Sequence, residues 1–295
     1  MKHEVLLVSH GTVDALDDLA AFVTNVRRGH APPPELVAEL RRRYEAIGGS
    51  SPLNRINVQL ADALATKLGV PVRWANRLWK PTVRDALRGI EADGAEQVAV
   101  VPLAQHSAHV YADDARKAAE GTRLTLRCAS NWGQDAKLST AFAKRIVDAL
   151  RGLDRARTTV VMTAHSLPKS VVDRGDPYER EVRASAEAIA RAVGPDLRWT
   201  LAFQSQGMSD VPGGWLGPDL PTTIADVAAR GDRAVVFAPV GFLADHVEIL
   251  YDLDIEAAAM VRGKGMTCVR ARSLNADEDF VDLLVDVARP LLGDG

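Results

Sequence analysis

Short apolar runs alternate with stretches of helical periodicity along almost the whole chain. The apolar runs predict buried strands at 4–9, 70–75, 97–103, 124–129, 158–163, 197–204, 234–238 and 267–272. Helical patterns lie between them at 15–28, 36–46, 57–68, 82–92, 112–120, 135–150, 178–193, 222–230 and 277–292, with one more directly after 234–238. Strands that alternate with helices in this way indicate an α/β fold, in which helices cover both faces of a parallel sheet.

An acidic helical pattern follows the apolar run 234–238 within the stretch 239–257, PVGFLADHVEILYDLDIEA. Glu248, Asp252 and Glu256 are spaced four residues apart, so we expect three carboxylates on one helix face. Like charges at this spacing cost a few tenths of a kcal/mol per pair. An acidic row at the carboxyl end of a buried strand is a plausible place to receive a cation. A solvated helix face is the alternative interpretation.

The two halves of the chain repeat one plan. The strand end VLLVSHGT carries His10, and VVMTAHSL carries His165. We therefore predict two domains, 1–150 and 151–295. Open α/β sheets place their ligand crevice at the carboxyl ends of the strands, where these histidines lie.

His165 is the stronger candidate for chemistry. An imidazole with a free pKa of about 6.5 can accept a proton or bind a metal. The alternative is a loop histidine whose ring nitrogens only make structural hydrogen bonds. One imidazole and one carboxylate from the acidic helix of the same half would make a minimal site for a divalent metal.

Composition excludes several classes of function. With 47% hydrophobic and 25% charged residues among 295, the chain is typical of a soluble globular protein, and its net charge of −3 argues against non-specific nucleic-acid binding. Its two cysteines, Cys128 and Cys268, are too few for a disulfide framework or an iron-sulfur cluster. No signal-peptide pattern or long apolar span is present, so we expect a cytoplasmic protein. No glycine-rich phosphate loop follows a strand, which counts against nucleotide cofactors.

Basic residues cluster in the first half, at Arg27 and Arg28 and again at 41–43. Arginine grips carboxylates with two parallel hydrogen bonds, so this region suits an anionic ligand. A solvated basic face is the better interpretation for Arg41 and Arg42.

With these residues in hand, the chain resembles the ferrochelatases, enzymes that insert ferrous iron into a porphyrin in haem synthesis. The resemblance rests on RYEAIGGSSPL (43–53), TAHSLP (163–168), GDPY (175–178), QS (204–205), WLGPD (215–219) and PVGFLADHVEILYDLDIEA (239–257), in the family's order. It implies two doubly wound, Rossmann-like lobes of the class II chelatase type, each with a parallel sheet, and a porphyrin bound in the cleft between them.

The resemblance also implies roles for residues in the second half. His165 and Glu248 match the pair that binds the metal and takes up the pyrrole protons. Asp252 and Glu256 match an acidic line that conducts metal or protons.

In the first half, the positions that match contacts to the macrocycle or its propionates are His10, Arg27, Arg43, Tyr44 and Ser51. His10 stands where relatives often carry a tyrosine or an apolar residue, and a histidine there could ligate the product's iron and slow its release. The segment 105–114 aligns poorly, so no residue is carried over from it.

The expected substrates are a porphyrin and ferrous iron, and we expect no tightly bound cofactor. We expect a monomer that binds no nucleic acid and makes at most peripheral contact with a membrane. The motif RRGH resembles the branch that uses coproporphyrin III, with protoporphyrin IX as the other candidate. A cobalt or nickel chelatase of the sirohydrochlorin type is an alternative enzyme, which the long IGGSSPL and WLGPD motifs speak against. A haem- or metal-binding carrier without turnover is the alternative from another class.

Overall fold

Two four-stranded sheets form the framework of the computed structural model, which describes residues 2–206 and 211–293. The first sheet contains β1 (His3–Ser9), β2 (Val72–Asn76), β3 (Gln97–Pro102) and β4 (Thr125–Cys128), in the order β2-β1-β3-β4. The second contains β5 (Thr158–His165), β6 (Trp199–Gln204), β7 (Ala234–Ala238) and β8 (Thr267–Arg270), in the order β6-β5-β7-β8. All neighbouring strands are parallel. The predicted α/β class, with a parallel sheet in each of two Rossmann-like lobes, is confirmed. The cleft stays a prediction.

Helices connect the strands throughout. In chain order they are α1 (Leu19–Val26), α2 (Pro34–Ala46), α3 (Leu53–Leu68), α4 (Val83–Ala92), α5 (Ala108–Ala118), α6 (Ala136–Ala149), α7 (Lys169–Asp173), α8 (Tyr178–Val193), α9 (Leu220–Ala229), α10 (Val247–Leu250), α11 (Ala258–Gly263) and α12 (Glu278–Leu292). A π-helix, Asp252–Ala257, lies between α10 and α11. Within the described ranges, no helix has the length and apolar character needed to cross a bilayer.

By its internal contacts the chain divides into two compact units. The first takes its residues from within Met1–Trp132, Ala244–Val247 and Asn275–Gly295, and the second from within Gly133–Leu243 and Glu248–Leu274. These units are defined by which residues pack together. The predicted domains, 1–150 and 151–295, stay a prediction.

In the first unit both faces of the sheet are covered. Helices α3 and α12 pack on each other and on the central strands, and α4 packs on α5. Leu6 and Val8 of β1 belong to the core cluster that includes residues of α4 and α5. Leu7, which alternation places on the opposite face, is also fully buried. This double burial explains why β1 is an apolar run without a polar face.

In the second unit, α9 and the helical segment after β7 pack on one face of the sheet. Val161 and Phe237 form a core cluster with Ile249 and Leu253, which are 0% and 1% exposed. They directly follow Glu248 and Asp252 in the chain, so the apolar side of this helical segment packs on the sheet. Helices α6 and α8 pack against each other and against β7 and β6, respectively.

Some helix boundaries differ from the prediction. The single helix predicted over 15–28 is wrong, because a 3-10 turn at Leu16–Asp18 precedes α1. Helix α3 begins at Leu53, four residues before the predicted start. The helical segment after β7 is not one α-helix, since the π-helix interrupts it.

Candidate functional site

His165 is the last residue of β5, a central strand whose preceding residues are all buried. Strand alternation places it on the same face as Thr163. Its backbone is held on two sides: Tyr178 Oη donates to its carbonyl at 2.8 Å, and the next residue, Ser166, donates from its N–H to the carbonyl of Gln204 at 2.8 Å. The imidazole remains 39% exposed, so it is available for chemistry at the end of the sheet.

A loop after β7 brings Glu248 to the same place. Gly241 in this loop donates its N–H to the carbonyl of Thr163 at 2.9 Å. A Cβ at Gly241 would lie 2.6 Å from both Cα and Cβ of Ala164. Only glycine therefore permits this close approach, and the chain then enters α10, where Glu248 is the second residue.

The structure brings His165 and Glu248 into direct contact. His165 Nδ1 lies 3.0 Å from Glu248 Oε2, and the carboxylate side chain is 32% exposed. Burial alone would lower the pKa of His165, but the charge and hydrogen bond of Glu248, with the charge of Asp252, raise that pKa above its ordinary value. This pair could hold a divalent cation and accept a proton. Its roles stay predictions.

The acidic row runs from α10 into the π-helix. In an α-helix of about 3.6 residues per turn, four residues overshoot a full turn, so a row spaced four apart drifts round the helix. Glu256 N donates to the carbonyl of Tyr251 at 3.0 Å, the five-residue bond of a π-helix. Its wider turn makes four residues fall short, which offsets the drift between Glu248 and Asp252.

Asp252, in the middle of the row, is 4% exposed and accepts a hydrogen bond from Ser205 Oγ at 2.7 Å. Glu256 is half-buried. The charges of two of the three acids therefore act on His165 through a partly buried environment.

The first unit carries a related pair. Leu7 of β1 pairs with Val101 of β3. His10 lies three residues after Leu7, and Tyr111 lies ten residues after Val101. His10 Nδ1 is 3.3 Å from Tyr111 Oη, and the His10 side chain is exposed.

The second unit repeats this arrangement with a different partner. Met162 of β5 pairs with Ala238 of β7. His165 lies three residues after Met162, and Glu248 lies ten residues after Ala238. The two histidines thus occupy matching places in sheets of the same strand order, and each contacts the matching helical residue through Nδ1. This match supports the predicted duplicated plan.

The predicted arginines differ in their surroundings. Arg27 caps the end of α1, and its buried Nε has no hydrogen-bond partner among the residues that the structure describes. Arg43 Nε donates to Glu39 Oε1 at 2.7 Å. Hydrogen bonds from Arg42 and Arg43 lower the pKa of Glu39 to about 2, so this carboxylate offsets part of the basic charge of α2.

Tyr44 and Ser51 are buried in this structure. Tyr44 Oη lies 2.8 Å from Thr12 Oγ1, and its ring packs in a cluster with Trp79. Ser51 Oγ accepts from the N–H of Leu53 at 3.3 Å. Their predicted contacts with a macrocycle stay predictions.

Comparison with known proteins identifies the family. The family model described as "Ferrochelatase" matches residues 2–291. The chain belongs to the ferrochelatase family. It is therefore a metal chelatase, a lyase, and its family inserts metal into a porphyrin in haem synthesis. The resemblance stated from the motifs is confirmed.

Curated relatives match over nearly the full length. The chain is 37% identical to "Ferrochelatase" of Herpetosiphon aurantiacus, covering 97% of this chain and 98% of the relative. It is 33% identical to "Coproporphyrin III ferrochelatase" of Anoxybacillus flavithermus, covering 96% and 94%. It is 31% identical to the protein of the same name from Bacillus subtilis, covering 99% and 98%.

Solved structures support the fold. "SirB from Bacillus subtilis with Fe3+" matches with a TM-score of 0.64 at 15% identity, covering 99% of this chain and 96% of that one. DR2241 from Deinococcus radiodurans, described as similar to chelatases, matches with a TM-score of 0.57 at 14% identity, covering 99% and 56%. Both show the chelatase-like fold of this chain.

Sequence reasoning assigned no role to several residues that contact the site. Tyr178 and Gln204 bond to the backbone of the pair, and Ser205 bonds to Asp252. All three lie in the motifs GDPY and QS, which carry the family resemblance but do not show what these side chains contact. Tyr111 lies in the segment that aligns poorly with the family.

Proposed function

We propose that this chain inserts Fe²⁺ into coproporphyrin III, with His165 and Glu248 as the groups that receive the metal and the pyrrole protons. The observation that carries the proposal is the 3.0 Å contact between His165 Nδ1 and Glu248 Oε2 at the carboxyl edge of a parallel sheet.

Proton removal is the first requirement of the reaction, because two pyrrole N–H groups must lose their protons before the ring can bind a divalent ion. With Nδ1–H donating to Glu248, Nε2 of His165 carries the lone pair that accepts one proton, and we assign the second proton to the Glu248 carboxylate. The neighbouring carboxylates raise the pKa of His165 and so stabilise the imidazolium that results.

Metal delivery is the second requirement. The pair offers one nitrogen and one carboxylate, a set small enough to release the ion to the four ring nitrogens. Asp252 and Glu256 extend the negative charge along the helix beyond Glu248, and we assign them to the path of the incoming metal or the departing protons.

The proposed choice of porphyrin rests on the number of carboxylates that the substrate carries. Coproporphyrin III carries four propionates. Arg27 is partly exposed at the end of α1, and its guanidinium suits a carboxylate from outside the protein. Relatives named coproporphyrin III ferrochelatase support the same choice.

Anaerobic insertion assays with coproporphyrin III and protoporphyrin IX side by side test the proposal. We expect faster turnover of coproporphyrin III, and turnover by the His165→Ala protein lowered by about 10²- to 10⁴-fold. Equal or reversed rates would overturn the choice of porphyrin. Stoichiometric haem binding without turnover would instead make the chain a carrier.

A further inference from the structure

The two side chains of the His165–Glu248 pair meet at 3.0 Å, and each residue is also held by its main-chain carbonyl. Tyr178 Oη donates to the carbonyl of His165 at 2.8 Å. Gln204 Nε2 donates to the carbonyl of Glu248 at 2.7 Å. Both donors belong to buried residues, since Tyr178 is 6% exposed and Gln204 is 2% exposed.

Both carbonyls lie in or at the end of a regular element. His165 ends β5, so its carbonyl lies where the strand ladder stops. Glu248 is the second residue of the four-residue helix α10. A helix this short is unstable by itself, so the position of Glu248 depends on contacts from outside the helix.

Gln204 connects the two sides of the pair. Its own carbonyl accepts from the N–H of Ser166, the residue after His165, at 2.8 Å. Its side chain reaches Glu248. One buried residue at the end of β6 therefore sets the spacing between the backbone that carries the imidazole and the backbone that carries the carboxylate.

The unused half of the Gln204 amide argues for a role beyond stability. Its Oε1 is buried and has no hydrogen-bond partner within the described part of the chain. An unpaired buried oxygen destabilises the folded state, so an apolar side chain would serve the core better. The contact that glutamine alone supplies is the one to Glu248.

We propose that Tyr178 and Gln204 are positioning residues for the pair, and that this role deepens and rests on the proposed iron insertion. They hold the two backbones so that imidazole and carboxylate stay in contact. Groups that orient ligands in this way commonly change metal affinity or activity by about 10- to 100-fold when removed.

The test compares Tyr178→Phe and Gln204→Met with Ser185→Ala in the full chain. Ser185 Oγ donates to the carbonyl of Gly133 at 2.7 Å and is 2% exposed, so Ser185→Ala also removes a buried bond to a backbone carbonyl, within the same unit. Four quantities are measured for each protein: kcat and KM of iron insertion, Kd for Co²⁺ alone by absorption, and Tm.

We expect kcat to fall about 10- to 100-fold and the Kd for Co²⁺ to rise by a similar factor in Tyr178→Phe and Gln204→Met, with little change in the KM for porphyrin. Ser185→Ala should keep the parent kcat and Kd. Gln204→Met should keep a Tm close to the parent's, because it also removes the unpaired oxygen. A loss of function without a loss of stability is a result that a purely structural bond would not give.

The proposal is overturned if both variants match Ser185→Ala in kcat and in the Kd for Co²⁺. If Gln204→Met does not fold, Tyr178→Phe, which loses one oxygen atom, decides the matter by the same two quantities. If the parent protein inserts no iron but binds Co²⁺, weaker Co²⁺ binding by the variants supports the positioning role while the proposed function fails. If the parent neither inserts iron nor binds Co²⁺, both proposals fail.

Discussion

Replacing Gly241 by alanine perturbs the packing that brings Glu248 to His165. The new Cβ would lie 2.6 Å from Cα and Cβ of Ala164, the residue before His165, and 3.2 Å from the carbonyl oxygen of Thr163. Ordinary contact begins at 3.4 Å. The loop and β5 must therefore separate by roughly 0.8 Å, and backbone atoms on both sides cannot rotate away.

This separation has two measurable effects. Overpacking of this kind costs about 1–3 kcal/mol of unfolding free energy. A displacement near 1 Å at the reacting groups can lower turnover by about 10²-fold. Thermal unfolding and anaerobic iron insertion, measured on the same preparation of Gly241→Ala, give both quantities.

Gly263→Ala is the matched control. Gly263 is the last residue of α11, and a Cβ there meets nothing within 4 Å. Alanine should leave turnover unchanged and stabilise the protein by up to about 1 kcal/mol, since glycine is the weaker helix former. If Gly241→Ala were as stable and as active as Gly263→Ala, the argument from close approach would be refuted.

Three further predictions concern other parts of the chain. Burial lowers the pKa of His106 to about 4. Between about pH 6.5 and about pH 4, His106 therefore binds a proton more readily in the unfolded chain than in the folded one. The free energy of unfolding should thus fall by up to about 3 kcal/mol as the pH drops through that window. Urea unfolding at about pH 6.5 and about pH 4 should show that the His106→Asn protein lacks this decrease. Arg27→Ala should raise the KM for coproporphyrin III by about 10-fold, the loss of one charge-assisted hydrogen bond, and an unchanged KM would remove Arg27 from the binding site. His10→Ala should change the absorption spectrum of the bound iron porphyrin, and an identical spectrum would mean that His10 is not an iron ligand.

Much of the fold could be predicted because buried apolar residues recur in the sequence with the period of the helix or strand that carries them. The apolar run 234–238 coincides with β7, and the helix predicted at 178–193 coincides with α8. Each of these elements is buried along a face or along its whole length, so its residues repeat with the period of the structure.

The boundaries failed where local chemistry overrides periodicity. The helical pattern predicts a helix from residue 57, yet α3 begins at Leu53, directly after Pro52. Proline has a backbone angle suited to the start of a helix. The π-helix was missed because a spacing of four residues fits an α-turn and a π-turn almost equally well.

Within the site, the sequence could name His165 and Glu248 because each follows a buried strand in a recognisable motif. It could not give their neighbours' roles. Gln204 and Tyr178 act through bonds to backbone carbonyls, and such bonds leave no residue pattern. Tyr111 contacts His10 across 101 residues, from a segment with no clear resemblance to the family.

Iron insertion by His165→Ala, Glu248→Gln and the double variant tests the central claim most directly. If imidazole and carboxylate act as one unit, removing either disables the other, so the double variant should be no slower than the slower single variant. If the losses in kcat multiply instead, the two groups act independently and the account is contradicted.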